Sequence, residues 1–298
     1  MNTLADRIAA KSAAEVHPAV AAFAAQLSEE TDAIAVLFYG SNLRTGSLEG
    51  VLDYYILLPG PQQEKIWPKV SYREWAFEDI TLRAKIATMS LEQFEKAASG
   101  QSRDTTIWAR FVQPSALVWS KDANSREQLL DALGSAAKTA AKLAVALGPE
   151  KGTAGDYWRA LFRATYKAEF RVEKTGRETS ILSVNAEHFD GLLPLALAAQ
   201  GIEFAEADDE LIPVLSDQQR AETLAWWSTR QRIGKPLNIL RLLKASTTFD
   251  GAARYAAWKV ERHTGVPIEV TPWREKHPVL AAPSVLFKVW REQKRQGG

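Results

Sequence analysis

Ala33-Ile-Ala-Val-Leu-Phe-Tyr-Gly-Ser-Asn-Leu-Arg-Thr-Gly-Ser-Leu-Glu-Gly-Val-Leu-Asp-Tyr-Tyr-Ile-Leu-Leu58 reads as two apolar strands joined by a tight turn and a polar excursion. The run Ile34 to Tyr39 is apolar, partly β-branched, too short for a stable helix and stopped by Gly40. Val51 to Leu58 is apolar except for Asp53, and Pro59-Gly60-Pro61 ends it. A carboxylate at the head of such a strand must be hydrogen-bonded, paired or metal-bound, because burying it bare is unfavourable.

Nucleotidyl transfer uses this pattern. Gly40 lets the backbone approach a triphosphate, and Ser41 adds a hydroxyl and an amide donor. Asp53 is the candidate ligand for Mg²⁺, which neutralises and orients phosphates. The general pattern places an acid-x-acid pair on the adjoining strand, and Tyr55 stands at the second acid. On these residues alone, a plain hairpin with a capping aspartate is an equal alternative.

The chain has 298 residues, an apolar fraction of 46% and a net charge of +1, enough for two domains and without a global pull toward nucleic acid. Its lack of cysteine excludes disulfides, thiolate zinc sites and a cysteine nucleophile. No apolar run is long enough to span a bilayer, and Asp6 and Glu15 interrupt what could otherwise be a leader. His188, His263 and His277 have no metal-ligand spacing.

Periodicity predicts a helix over residues 1–30, irregular chain over Glu64 to Asp79, and a third strand over Thr81 to Met89. That strand places Leu82, Ala84 and Ile86 on one face and Arg83 and Lys85 on the other. A short helix over Leu91 to Ala98 is capped by Ser90, and Ala116 to Trp119 is a further strand. Ser125 to Gly148 is an Ala/Leu-rich helix ended by Gly148-Pro149. Beyond it come helices over Asp156 to Lys174, Ser180 to Gln200, Asp217 to Gln231, Leu237 to Lys244, Asp250 to His263 and Pro283 to Arg295. The expected class is α+β: a mixed sheet with helices, then a mostly helical part.

Four stretches, in order, resemble the mitochondrial translocator-assembly-and-maintenance-type phosphatidate cytidylyltransferases of the nucleotidyltransferase-like superfamily. They are Phe38-Tyr-Gly-Ser41 with Leu52-Asp-Tyr-Tyr-Ile56, Arg83 to Met89, Ala109-Arg-Phe-Val-Gln-Pro114, and Thr165-Tyr-Lys-Ala-Glu-Phe-Arg-Val172. A single Asp followed by apolar residues is a trait of that family. The chain departs from the pattern at Asn42, Gln113 and Ala168-Glu169.

The resemblance implies a nucleotidyltransferase-like domain over 1–148, a winged-helix-like helical domain over 149–236, and basic amphipathic C-terminal helices over 237–298. It implies transfer of a cytidylyl group from CTP to phosphatidate with Mg²⁺. The expected place is the cytoplasm, peripheral on the inner face of an anionic membrane, without nucleic-acid partners. Candidate catalytic residues are Asp53, as metal ligand, and Lys85, against charge on the phosphates. Tyr39, Gly40, Ser41, Asn42 and Arg44 are the nucleotide-binding candidates, and Tyr166, Glu169 and Arg171 a second polar group with Glu169 as second metal ligand. Arg241, Lys244, Arg254, Lys259 and Arg262, interleaved with Tyr255 and Trp258, suit a lipid headgroup or a solvated face equally. In the last helix Val285, Leu286, Val289 and Trp290 share one side, against Lys288, Arg291, Lys294 and Arg295 on or beside the other. The alternatives are another phosphate-bearing acceptor, or a non-catalytic lipid- or nucleotide-binding module.

Overall fold

The computed structural model describes residues 3–168, 177–276 and 278–296. In chain order the elements are α1 (Leu4–Ser12), α2 (Pro18–Thr31), β1 (Ala35–Tyr39), α3 (Ser41–Thr45), β2 (Leu52–Leu58), β3 (Lys69–Phe77), β4 (Ile80–Ser90), α4 (Leu91–Ala98), α5 (Thr106–Phe111) and β5 (Ser115–Ser120). They continue as α6 (Ala123–Leu147), α7 (Ala154–Ala168), α8 (Arg177–Val184), α9 (Ala186–Phe189), α10 (Leu192–Ala198), β6 (Phe204–Ala207), β7 (Glu210–Pro213), α11 (Asp217–Thr248), α12 (Ala252–Thr264), α13 (Pro272–Lys276) and α14 (Pro278–Gln296). The class is α+β.

Among the described residues, five strands form a mixed sheet in the order β3-β4-β2-β1-β5, with β2 and β4 parallel and the other pairs antiparallel. β1 is buried along its whole length because helices cover both faces, so its sequence is a continuous apolar run instead of an alternation. On one face α2 lays Val20, Phe23, Ala24 and Leu27 against Val36, Phe38, Tyr54 and Ile56. Tyr54 resolves its burial there by donating its hydroxyl to the Val20 carbonyl at 3.0 Å. On the other face α4, α5 and α6 bury Phe94, Trp108, Phe111 and Leu133 against Leu37, Tyr55, Leu57 and Met89. The buried alanines of α6, among them Ala136, Ala137, Ala140 and Ala144, let several helices approach one long helix closely. This cluster continues past Gly148 into Trp158, Leu161, Phe162, Phe189 and Trp227.

Several elements differ from expectation. Residues 1–30 hold two helices, because Pro18 starts the second at its first position, capped by His17. Glu64 to Asp79 contains the edge strand β3, in which only Tyr72 is fully buried, so its apolar signal is faint. Short α5 and the β6–β7 hairpin also had no periodic signal long enough to read. Ser180 to Gln200 is broken into pieces of α8, α9 and α10 at Asn185 and Gly191. Asp217 to Gln231 and Leu237 to Lys244 belong to one helix, α11, which continues through Pro236 and packs on α6 and α7. Asp250 does not cap α12; Gly251 holds that position, and the Asp250 carboxylate pairs with Arg73 at 2.8 Å. The end of the Asp156 to Lys174 helix lies outside the described residues. No helix among the described residues is long and apolar enough to cross a membrane.

Candidate active site

Strand register puts a polar row across one face of the sheet. Tyr72 opposes Lys85, Lys85 opposes Asp53, Asp53 opposes Tyr39, and Tyr39 opposes Ser115. Directly opposed residues share a face, so adjacent members stand about 4.8 Å apart at the backbone. The next row on that face is Val70, Ala87, Tyr55, Leu37 and Leu117, which is apolar. Asp53 thus sits where the polar end of the face meets the core.

Asp53 stands half-buried against the turn that ends β1. A Cβ placed on Gly40 would come 2.9 Å from Asp53 Oδ2, and Gly40 has φ +89° and ψ −161°, a region open to glycine alone. The close approach that Gly40 permits is therefore first of all to this carboxylate. Gly40→Ala is expected to lower stability by about 1–3 kcal/mol through backbone strain and to push Asp53 out of place. Denaturant melts with side-chain assignment by NMR would check it, and an unshifted Asp53 would overturn it.

Burial raises the Asp53 carboxyl above its ordinary range, and the charges of Lys85 and Arg110 pull it partly back. Arg110, on α5, donates to the Tyr39 hydroxyl at 3.0 Å and lies 5.2 Å over its ring. Burial raises the Tyr39 phenol too, so it stays protonated. Two cations, Lys85 and Arg110, thus act on one acid at this end of the sheet, and the local charge is positive. Arg110 was not singled out in the sequence, although it lies in the Ala109 to Pro114 stretch; only the turn of α5 brings it to Tyr39.

Tyr55 explains the single acid. It is buried, donates its hydroxyl to Met89 Sδ at 3.0 Å, and meets Phe94 and Phe111 edge-on. A carboxylate there would face the apolar core, away from water.

The remaining candidates divide. Ser41 and Arg44 are exposed on α3. Asn42 is buried and works on its own loop: its amide donates to the Ser47 and Glu49 carbonyls, both at 2.8 Å. Tyr166 lies on α7 and stacks on Phe162 at 6.4 Å between ring centres. Glu169 and Arg171 lie outside the described residues. Arg241 makes a bidentate pair with Asp104 at 2.9 and 2.6 Å and donates to the Trp67 carbonyl at 2.8 Å, an internal clamp. Lys244 binds Glu64 and the Ile66 carbonyl, and Arg254 pairs with Glu275 at 2.9 Å. Lys259 lies over Tyr255 and Arg262 over Trp258.

For a divalent cation the donor set is one carboxylate; among the described residues no group of three or more acidic or histidine side chains converges. That fits a hard cation whose other ligands are phosphate oxygens and water, the usual manner for Mg²⁺. Comparison with known proteins finds no matching family model and no matching curated protein.

Proposed function

We propose that the chain is a Mg²⁺-dependent nucleotidyltransferase that moves the cytidylyl group of CTP onto phosphatidate. The observation that carries the transferase reading is the Lys85–Asp53–Tyr39 row closed by Arg110 and by the Gly40 turn. The choice of CTP and phosphatidate comes from the four sequence stretches. The α7 to α10 helices followed by the β6–β7 hairpin suit the winged-helix-like domain of that family. Exposed Trp273, Phe287 and Trp290 suit peripheral contact with a membrane surface.

Asp53, with phosphate oxygens and water, would hold Mg²⁺, which neutralises and aligns the triphosphate when bound. The Gly40 and Ser41 amides, at the start of α3, would donate to phosphate oxygens. An anionic oxygen of the acceptor phosphate attacks the α-phosphorus, already deprotonated, so no strong general base is required. The new bond joins that oxygen to the α-phosphorus; the bond from the α-phosphorus to the bridging oxygen breaks, and pyrophosphate leaves with its electron pair. Lys85 and Arg110 stabilise the charge that develops on the transferred and leaving phosphates.

The test is pyrophosphate release from the full chain with each of four nucleoside triphosphates and Mg²⁺, with and without phosphatidate vesicles. Release that requires CTP and phosphatidate together is expected. Release with another nucleotide or acceptor moves the substrate assignment, and absence of release in every combination overturns the transferase reading.

A further inference from the structure

Beside the polar row, the start of β4, the turn at Glu49 and Gly50, and α12 border an open cavity of about 480 Å³, in which Arg83, Arg262 and Trp258 face an apolar floor of Leu48, Ile80 and Leu82. We infer that this cavity is a phosphomonoester subsite, with Arg83 and Arg262 as its two anion-binding groups. The inference rests on the transferase reading, for which it supplies the seat of the acceptor phosphate.

Arg83 and Lys85 are two residues apart on β4 and share a face, so their backbones lie about 6.6 Å apart along the strand. Lys85 is beside Asp53, so a phosphate held by Arg83 borders the reaction centre. The Arg83 guanidinium is incompletely used. Nη1 donates to the Thr81 carbonyl at 3.3 Å, while Nε is 3.4 Å from Glu74 and, among the described residues, has no hydrogen-bond acceptor although it is buried. Glu74 is shared with the Tyr72 hydroxyl, which donates to it at 2.7 Å. With Nε turned to Glu74 and Nη1 to Thr81, Nη2 makes no hydrogen bond among the described residues, and that end of the guanidinium is the one offered to a phosphate oxygen.

The opposite wall is tied to the sheet. Tyr255 packs on Tyr72 at 5.4 Å, Trp258 stacks on Tyr255 at 6.3 Å, and the Arg83 and Arg262 guanidinium groups lie 5.7 and 5.3 Å from the Trp258 ring centre. Both cations are thus held by one indole. Arg262 is exposed and makes no ion pair among the described residues. It folds toward the turn, where a Cβ on Gly50 (φ +87°) would come 3.1 Å from its Nη1. Glycine at 50 leaves room for that guanidinium at the cavity mouth. Glu49 lines the rim and is exposed to water, where screening weakens its repulsion of an anion. Two guanidinium forks offer donors to three phosphomonoester oxygens, more than the two oxygens of a carboxylate ligand would use.

The experiment is calorimetric titration of the full chain with soluble dihexanoyl phosphatidate and, separately, with glycerol 3-phosphate. Arg262→Gln, at an exposed position that leaves the fold intact, is expected to weaken binding about tenfold or more, and Arg83→Gln likewise. Arg262→Lys is expected to retain part of the affinity, and CTP binding to be unchanged in all three variants. Loss with both ligands defines a phosphate site; loss with phosphatidate alone defines a lipid headgroup site. Binding through Arg262 in a chain that releases no pyrophosphate keeps the subsite and refutes the transferase. No binding of either ligand to the wild-type chain, or unchanged affinity in both glutamine variants, overturns the inference.

Discussion

Asp53→Asn is expected to abolish pyrophosphate release, by about 10³-fold or more, while leaving the protein as stable as the wild type or more stable at pH 7. The loss follows because the amide keeps the shape of the carboxylate but not its charge, and a hard cation needs the anionic oxygen. The stability follows from the sign of the shift. Burial raises the folded-state carboxyl above its unfolded value, so folding favours the neutral form. The contribution of the group to stability is therefore fully present below the unfolded pKa and is lost as pH rises through the raised folded value. At pH 7 the ionised Asp53 is a net liability, even with Lys85 and Arg110 beside it. The neutral amide removes that liability, the usual exchange between activity and stability at a functional site. The same raised carboxyl predicts that Mg²⁺ affinity weakens sooner on acidification than at an ordinary aspartate, because the proton competes with the cation, and activity at limiting Mg²⁺ falls with it. A thermal melt and a pH–rate profile on both proteins would decide. Full activity in the variant, or a clear drop in its melting temperature, would refute this role of Asp53.

How far the sequence carried this picture varied with the range of the interaction. β1 and β2 were legible as apolar runs closed by Gly40 and by Pro59-Gly60-Pro61, and β4 as an alternation closed by a capping serine, all local signals. The face of Lys85 was legible from alternation, since a period of two residues sets it opposite Leu82, Ala84 and Ile86, whereas its candidacy for the site came from the resemblance. Asp53 stood out as an acid in an apolar strand. β3 was not legible, because an edge strand buries little, and charged Arg73 and Glu74 interrupt its alternation. Arg110 and Arg241 show the deeper limit. Arg110 meets Tyr39 from 71 positions away, and Arg241 meets Asp104 across 137. Nothing in the neighbouring residues records such a partner. Arg241 therefore read as a surface cation beside Lys244, whereas the fold makes it an internal one.

That internal pair yields the second large effect. Removing one partner of a buried, hydrogen-bonded ion pair leaves an uncompensated charge and costs roughly 3–5 kcal/mol. Asp104 is 3% exposed and Arg241 15%. Asp104 has a further task, since it accepts from the Thr106 amide at 3.0 Å and from its hydroxyl at 2.7 Å, fixing the start of α5. Arg241 meanwhile ties α11 to the Trp67 carbonyl and lies 4.9 Å over the Trp67 ring. Through these contacts one guanidinium holds together α11, the approach to β3 and the helix that carries Arg110. Asp104→Ala and Arg241→Ala are each expected to lower stability by about 3–5 kcal/mol, read by urea denaturation. The double variant is expected to lose clearly less than the sum, because the second substitution removes the stranded charge of the first. Asp104→Ala is also expected to weaken nucleotide binding, since α5 loses its anchor and Arg110 its fixed reach to Tyr39. Additive losses in the double variant would show that the two side chains act separately, and the clamp would then lie elsewhere.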